Sequence, residues 1–287
     1  MNKVGIVGNG YVGGAIAHGF SPTSTGNCEV KVYDKLPERS LHTLEETVNE
    51  SDFIFVSVPT PMTKEGAISL KYIDQVFKEI NEVNNRTDNI VILKSTVVPG
   101  TTEKLQEKFP ELNIIFNPEF LTERSSRLDF INQSRIVLGG AKKYTEKVSK
   151  LYTDRFKYCN VIETDYKTSE IVKYFSNIFF SVKVAFANEM KLICEKIEAD
   201  WDTALEGFVA DGRIADSHLN VPGPDGKRGF GGSCFPKDIN AFMAFSKSIG
   251  VNTHTINGAW ETNLEVRPEQ DWKELKGRAI DEDQDES

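Results

Sequence analysis

The most informative stretch for the fold is Val4-Gly5-Ile6-Val7-Gly8-Asn9-Gly10-Tyr11-Val12-Gly13. Its first four residues are an apolar run typical of a buried strand, and G-x-G-x-x-G follows directly. In this motif the first glycine permits a tight turn, the second lets the backbone approach a pyrophosphate, and the third lets a helix pack closely on the strand. A helix-compatible run over 12–20 and a second strand over 29–33 give the motif its context. The stretch therefore predicts a phosphate-binding turn at the start of a Rossmann-like domain.

Asp34 ends the second predicted strand. An acidic residue at this position accepts hydrogen bonds from the ribose hydroxyls of a dinucleotide, which favours NAD over NADP. The adjacent Lys35 weakens that preference. A glycine turn that binds no ligand is the alternative, but the flanking strands favour NAD as the cofactor.

Strand-like and helix-like runs alternate as far as residue 152, which predicts a parallel doubly wound sheet. The strand-like runs are 53–58, 90–93, 113–116 and 135–138, and the helix-like runs are 70–83, 101–109 and 144–152. Ligands of such sheets bind outside the carboxyl ends of the strands. Three polar stretches follow strands directly and are expected at that edge: Pro59-Thr60-Pro61, Ser95-Thr96, and Asn117-Pro118-Glu119-Phe120-Leu121-Thr122-Glu123.

Residues 165–200 contain neither glycine nor proline, which predicts one unusually long helix, capped by Asp165 or Thr168. Lys173 and Asn177 lie one turn apart on a side that we expect to be buried. There they could donate hydrogen bonds to a developing oxyanion, although a solvated face is the ordinary fate of a lysine. An apolar stripe runs roughly opposite, formed by Ile171, Phe175, Ile178, Val182, Phe186, Ile193 and Ile197.

A second glycine-rich stretch, Gly229-Phe230-Gly231-Gly232-Ser233-Cys234-Phe235-Pro236-Lys237-Asp238, leads into another predicted helix. Pro236 suits the first helical turn, so Cys234 is expected at the helix N-terminus, where the helix dipole and Lys237 favour a thiolate. Asp238 falls on the same helix face as the sulfur. A nucleophile with a nearby carboxylate is typical of covalent catalysis, whereas a cysteine packed under a glycine turn is the ordinary alternative.

The composition excludes several classes of protein. The chain has 34 basic and 43 acidic residues, a net charge of −9, which argues against binding to nucleic acid or to an anionic membrane. No apolar run approaches the ~18 residues of a membrane span, and because the chain enters a strand at once we expect no signal peptide. The four cysteines are far apart, so we expect no metal site, no disulfide framework and a reducing cytoplasmic location.

The predicted organisation is α/β, with a Rossmann-like NAD-binding domain over 1–164 and a central all-helical domain over 165–266. The tail, 267–287, is polar and ends in acidic residues, so it is expected to be disordered. The central domain contains a long irregular segment, 211–232, of the kind that is usually functional. Arg213, Lys227 and Arg228 could meet a phosphate there.

Together these stretches resemble the UDP-glucose/GDP-mannose dehydrogenase family over roughly residues 1–266. The stretch around Cys234 is similar to the family's catalytic cysteine loop, and Lys173 and Asn177 match its catalytic pair in spacing. Two further signatures are Lys94-Ser95-Thr96-Val97-Val98-Pro99-Gly100 and Asn117-Pro118-Glu119-Phe120-Leu121. The UDP-glucose enzymes look most similar. The resemblance implies an NAD-dependent four-electron oxidation of a nucleotide sugar, with UDP-glucose to UDP-glucuronate as the expected reaction.

The resemblance also implies roles for individual residues. Cys234 would carry a thiohemiacetal and then a thioester, Asp238 would act with a water as base, and the catalytic pair would stabilise the oxyanion. Glu119, Glu123 and Thr96 would position water or assist hydrolysis. The implied cofactor contacts are Gly8, Gly10, Tyr11, Val12, Gly13, Asp34, Lys35, Pro59, Thr60, Ser95, Thr96, Glu123 and Lys237. The implied substrate contacts are Glu119, Phe120, Leu121, Lys173, Asn177, Arg213, Phe230, Gly231 and Cys234.

Two departures from the family matter. The sequence ends before the region that would match the family's third domain, which holds the UDP half of the substrate, and Arg124 stands where the family usually has glycine. Three interpretations stay open: the central domain and a dimer partner hold the nucleotide, affinity is poor, or a separate chain completes the site. The resemblance implies a homodimer through the central helix, with Arg213 reaching the neighbouring subunit's substrate.

Two other functions remain open at this point. A single-step NAD-dependent 3-hydroxy-acid dehydrogenase also combines a Rossmann domain, a long helix and a Lys/Asn pair, but it lacks the cysteine loop. A non-catalytic nucleotide-sugar binder is the second alternative. The joint presence of Cys234, Asp238, Lys173 and Asn177 argues against it.

Overall fold

The computed structural model describes residues 1–24 and 26–282. The chain forms two compact units. The first consists of Met1–Thr60 and Leu70–Lys173, and the second consists of Pro61–Ser69 and Tyr174–Ser287. The division differs from the predicted boundary at 164/165, because 61–69 belongs with the second unit and the long helix begins in the first.

The first unit is built on a sheet that, within the described residues, has seven strands in the order β2-β1-β3-β4-β5-β6-β7. These are β1 (Lys3–Val7), β2 (Glu29–Tyr33), β3 (Phe53–Val56), β4 (Ile90–Leu93), β5 (Ile114–Phe116), β6 (Arg135–Gly140) and β7 (Asn160–Thr164). The predicted doubly wound sheet is confirmed. Neighbouring strands are parallel except β5 and β6, which pair antiparallel.

The antiparallel pair has a simple cause. A parallel connection must carry the chain back across the sheet, usually on a helix of a dozen or more residues. The helix between β5 and β6, α5 (Ser126–Ile131), has only six residues. It spans about 9 Å at 1.5 Å per residue, so β6 starts near the edge where β5 ended.

Helices pack on both faces of the sheet: α1 (Tyr11–Phe20), α2 (Leu44–Asn49), α3 (Lys71–Val83), α4 (Thr101–Lys108), α5, and α6 (Lys142–Arg155). The alternation of side chains along β3 shows how both faces are filled. The ring centroid of Phe55 lies 5.7 Å from that of Phe20 on α1. Ile54, one position earlier, packs in the cluster that contains Phe77 and Ile80 of α3. A strand buried on both faces has the continuous apolar sequence seen here.

The second unit is helical, with most of α7 (Tyr166–Lys196) followed by α8 (Trp201–Val209), α9 (Phe235–Ser248) and α10 (His254–Val266). The long helix is confirmed, and Asp165 caps it by accepting a hydrogen bond from the Thr168 amide at 2.9 Å. Within the described residues, no helix combines the length and apolar character needed to cross a membrane.

The predicted disorder of the tail is wrong for residues 267–282. Met62 pairs with Ile280, and its amide donates to the Ala279 carbonyl at 2.9 Å. Trp272 and Ala279 are buried in the same cluster. Although the segment is polar overall, it contains a few apolar side chains that pack with Met62 of 61–69. Burial of these side chains orders the segment. Residues 283–287 lie outside the described residues.

Candidate active site

The glycine turn has the geometry expected of a dinucleotide-binding motif. Gly8 has φ +93°, and a β-carbon there would lie 2.3 Å from the Ser57 carbonyl oxygen. A β-carbon on Gly13 would lie 1.9 Å from the Gly8 carbonyl oxygen, so only glycine lets α1 pack this closely. A β-carbon on Gly10, in contrast, would have no other heavy atom within 4 Å, apart from those of residues 9–11. Open space next to the second glycine is what a pyrophosphate requires.

Asp34 lies against this turn. Its carboxylate accepts hydrogen bonds from the Asn9 amide at 2.6 Å and from the Leu36 amide at 2.9 Å. Lys35 points into solvent. An acidic group beside an open glycine turn, at a helix start where Gly10 supplies no capping side chain, fits the adenosine and pyrophosphate of NAD.

The loops after β3 and β4 meet at the carboxyl edge of the sheet, as predicted. The Ser95 hydroxyl accepts from the Val58 amide at 3.0 Å and donates to the Val58 carbonyl at 2.7 Å. The Thr60 hydroxyl donates to the Thr96 carbonyl at 3.0 Å. Pro59 is exposed beside them. These polar side chains thus join two loops at the edge where ligands of such sheets bind.

The loop after β5 carries a buried ion pair. Glu119 accepts hydrogen bonds from the Lys173 ammonium at 2.8 Å and from the Leu121 amide at 2.6 Å. The ring of Phe120 has the Arg135 guanidinium 3.9 Å from its centroid and the Lys173 ammonium 5.9 Å away. The structure therefore brings together Glu119, Phe120 and Lys173, three of the predicted site residues.

Glu123 is farther out on the same loop. It begins a short 3₁₀ turn, Glu123–Ser125, and is exposed, as is Arg124. The outward direction of Arg124 explains how this loop accepts an arginine in place of glycine.

Sequence reasoning missed Lys94 as a site residue. It is 3% exposed and donates to Asn117 Oδ1 at 3.0 Å and to the Pro118 carbonyl at 3.2 Å. Burial lowers the pKa of Lys94 to about 7; Glu119 opposes this shift and Lys173 adds to it. A signal was present, because an ionisable residue directly after four buried apolar residues of a strand is unusual.

In the second unit, Cys234 is the N-cap residue of α9 and Pro236 occupies the first turn, as predicted. The Asp238 amide donates to the Cys234 carbonyl at 2.8 Å. The thiol is partly exposed, with the Ser233 hydroxyl 3.8 Å from it. The structure therefore places an accessible cysteine at a helix start.

Asp238 is the centre of a buried polar group, and its exposed fraction is 1%. Its two carboxylate oxygens accept from the Asn177 amide and from the Lys237 ammonium, each at 2.5 Å. Lys237, which was expected to favour the thiolate and to contact the cofactor, is 7% exposed, and its ammonium donates to Asp238. Lys173 and Asn177 are 4% and 7% exposed, so their side of α7 is covered, as expected.

The glycine loop before Cys234 is held by residues that were assigned to the end of the helical domain and to the tail. The amide and carbonyl of Phe230 bind the Asn263 side chain at 2.6 and 3.0 Å. A β-carbon on Gly231 would lie 2.4 Å from Nη2 of Arg267 and 2.5 Å from Asp271. Phe230 is buried, and its ring packs against Phe235 and Trp260. Phe230 therefore supports the loop from within the core.

The basic residues of 211–232 each have an acidic partner. Arg213 is 89% exposed and pairs with Asp211. Lys227 lies 3.2 Å from Glu269, and Arg228 lies 2.5 Å from Glu195. The side chain of Arg213 therefore points into solvent.

Comparisons with known proteins cover both units. A model of the UDP-glucose/GDP-mannose dehydrogenase family, NAD binding domain, matches residues 30–156, and the central-domain model of the same family matches residues 167–265. The UDP-glucose 6-dehydrogenase of Rickettsia conorii is 36% identical over 91% of this chain and 66% of its own length. The chain thus spans about two thirds of the length of the curated relatives that it matches.

Comparison with solved structures agrees with these sequence matches. A UDP-glucose dehydrogenase from Pyrobaculum islandicum superposes with a TM-score of 0.81 at 27% identity, covering 92% of this chain and 68% of that one. The 3-hydroxyisobutyrate dehydrogenase of Mycobacterium tuberculosis superposes with a TM-score of 0.74 over 94% of this chain and 95% of its own. Its identity is only 14%, so this second likeness concerns the fold alone.

Proposed function

Since this chain belongs to the UDP-glucose/GDP-mannose dehydrogenase family, we propose that it oxidises a nucleotide sugar twice at one carbon, with UDP-glucose to UDP-glucuronate as the reaction. The cofactor of the family's first domain is NAD, and the glycine turn and Asp34 fit it. The observation that carries the proposal is the Cys234 helix start with the Asn177–Asp238–Lys237 group one turn away. A single-step alcohol oxidation needs no such nucleophile.

Cys234 is the nucleophile of the proposed reaction. After the alcohol carbon is oxidised to an aldehyde, the thiolate adds to it and forms a thiohemiacetal. Oxidation of the thiohemiacetal gives a thioester, and water then releases the carboxylate and restores the thiol. When bound, NAD supplies the hydride acceptor for each oxidation. Covalent attachment keeps the aldehyde from escaping half-oxidised.

The other side chains move protons and stabilise charge. Asp238 accepts the alcohol proton through a water, and Asn177 orients the carboxylate with one of its two amide hydrogens. The second amide hydrogen of Asn177 and the ammonium of Lys173 donate to the developing oxyanion. Glu119, Glu123 and Thr96 position the hydrolytic water.

The number of NADH molecules released per substrate tests this function. The proposed reaction gives two, a single-step dehydrogenase gives one, and a non-catalytic binder gives none. UDP-glucose, GDP-mannose and UDP-N-acetyl sugars are assayed side by side, since the sugar and base are the finer part of the proposal. One NADH per substrate, or none with any of these sugars, would contradict it.

The position of Asp34 predicts a preference for NAD over NADP. A 2′-phosphate beside this carboxylate is repelled, so we expect NAD to bind at least about tenfold more tightly, a difference of about 1.4 kcal/mol. Titration of the protein with both cofactors measures the ratio. Asp34→Ala should reduce the ratio of NAD affinity to NADP affinity. Equal or tighter binding of NADP to the unmodified chain would disprove the role of Asp34 in cofactor preference.

The exposed side of α7 predicts a homodimer. Phe175 and Phe179 are 63% and 61% exposed, and Phe186, Met190 and Ile193 are also exposed at helical spacing; Ile197, one residue past the end of α7, is 67% exposed. Ile178, part of the predicted stripe, is instead buried. A row of large apolar side chains on one helix needs a partner surface, and we propose that a second copy supplies it. Arg213 would then reach the neighbour's substrate.

Sedimentation of Phe179→Glu tests the dimer. We expect the unmodified chain to sediment as a dimer at micromolar concentration and the variant as a monomer, because a carboxylate cannot be buried there unpaired. Leu128→Glu is the control, since Leu128 is a similarly exposed apolar side chain (65%) on α5 of the first unit and is not part of the apolar row on α7. A monomeric unmodified chain would refute the proposal.

A further inference from the structure

Lys94 has an unusual environment for a buried lysine. It follows β4 directly and is 3% exposed. Its hydrogen bonds within the described residues go to two neutral oxygens, Asn117 Oδ1 and the Pro118 carbonyl, and to no carboxylate. Burying an ammonium without an acidic hydrogen-bond partner is unfavourable. A lysine in this position therefore calls for a functional explanation.

The two oxygens belong to a turn that is fixed on several sides. Asn117 Oδ1 also accepts from the Tyr152 hydroxyl at 2.6 Å, and the amide of Asn117 donates to the Val137 carbonyl at 2.8 Å. The next residue after Pro118 is Glu119, whose carboxylate binds the Leu121 amide and the Lys173 ammonium. Lys94 is therefore one residue removed from the group that holds Lys173.

We propose that Lys94 is a positioning residue for the oxidation: through Asn117 and Pro118 it fixes the turn that carries Glu119, and Glu119 holds the ammonium of Lys173 in place for the substrate oxygen. The inference rests on the proposed function, because Lys173 has its role there. It assigns Lys94 no contact with substrate.

The same environment makes Lys94 sensitive to pH. Burial lowers its pKa to about 7; Glu119 opposes the shift and Lys173 contributes to it. Tyr152, which faces the same Asn117 oxygen, has its pKa raised by burial and remains neutral. The charge of Lys94, next to the turn that carries Glu119, therefore changes around neutral pH. We expect the turnover rate plotted against pH to show an inflection near pH 7.

Lys94→Met tests the inference, with Lys31→Met as the matched control in the same unit, where Lys31 pairs with Glu50. We expect kcat of Lys94→Met to fall about a hundredfold with NAD binding unchanged, since a small displacement of a catalytic group has effects of this size. The inflection near pH 7 should disappear. A variant that keeps both kcat and the inflection would overturn the inference.

A measurement without substrate separates this inference from the proposed function. The Leu121 amide reports the position of Glu119, so its hydrogen exchange should accelerate in Lys94→Met and stay unchanged in Lys31→Met. Unchanged exchange in both variants would overturn the positioning role even if the unmodified chain oxidises no nucleotide sugar.

A second variant serves if Lys94→Met does not fold. Asn117→Asp gives Lys94 a carboxylate partner, so the inflection should move to higher pH while Leu121 stays protected. If the inflection does not move, it arises from a group other than Lys94, and this result would also overturn the inference.

Discussion

Cys234→Ser is expected to lower steady-state turnover by at least about a thousandfold, or ~4 kcal/mol of transition-state stabilisation. A serine hydroxyl at neutral pH is a far weaker nucleophile than a thiolate at a helix start, and the second oxidation depends on covalent attachment. Folding and NAD binding should be retained, because the exchange of sulfur for oxygen changes little volume. With substrate and NAD the variant should stall after the first oxidation, which mass spectrometry of the sugar and of the protein would detect.

Cys159→Ser is the control for this experiment. Cys159 is also partly exposed, but it lies just before β7 in the first unit and precedes no helix start. Its replacement should leave turnover unchanged. If Cys234→Ser turned over like the unmodified chain and were only slightly less stable, Cys234 would be a packing residue and the single-step function would be favoured.

Arg267→Ala is expected to destabilise the second unit by about 3 kcal/mol, at the lower end of the range for breaking a buried ion pair. Arg267 is 2% exposed and binds Asp271 at 2.7 Å, Asp225 at 2.7 Å and the Arg228 carbonyl at 3.2 Å. We expect a loss at the lower end of that range because the carboxylates of Asp225 and Asp271 are partly exposed. Loss of the guanidinium should also loosen the glycine loop before Cys234, since Arg267 packs against Gly231.

Denaturant unfolding measures this loss, with Arg213→Ala as the control. Arg213 also pairs with an aspartate of the second unit but is 89% exposed, so its removal should change the free energy of unfolding by less than about 0.5 kcal/mol. Equal stability of the two variants would show that the ion-paired cluster does not hold the loop.

The same cluster predicts an acid dependence. Burial is the largest single influence and raises the pKa values of Asp225 and Asp271, but the hydrogen bonds and charge of Arg267, together with backbone hydrogen bonds, lower both below their usual values. A carboxyl whose folded-state pKa lies below its unfolded value stabilises the fold above the unfolded value, about 3.9, and this contribution is lost as pH falls through the folded value. Stability of the unmodified chain should therefore fall below about pH 4, and more steeply than that of Arg267→Ala.

Several features could be predicted from the sequence because their constraints are local. The G-x-G-x-x-G turn depends on the backbone freedom of three glycines within six positions, and the structure has Gly8 at positive φ and Gly13 in contact with Gly8. The Cys234 helix start follows from Pro236, and the length of α7 follows from the absence of helix-breaking residues over 165–200. Each of these signals lies within one turn or one element of the chain.

Local signals were too weak at other positions. The helix α2 has only six residues, and the edge strand β7 has mostly exposed side chains, so neither shows an apolar repeat. Both therefore formed where no periodic pattern predicted them.

The sequence by itself determined the nucleotide-binding turn, the doubly wound sheet, the long helix and the cysteine at a helix start. Only the tertiary structure decided which polar side chains are buried together. Lys94 meets Asn117 across 23 residues of sequence, Phe230 meets Asn263 across 33, and Arg267 meets Asp225 across 42. Periodicity reports which face of an element is apolar, whereas hydrogen bonds between distant polar groups depend on how the elements pack. Because of that packing, Arg267 and Asp271, which lie in the segment predicted to be a disordered tail, support the glycine loop before Cys234.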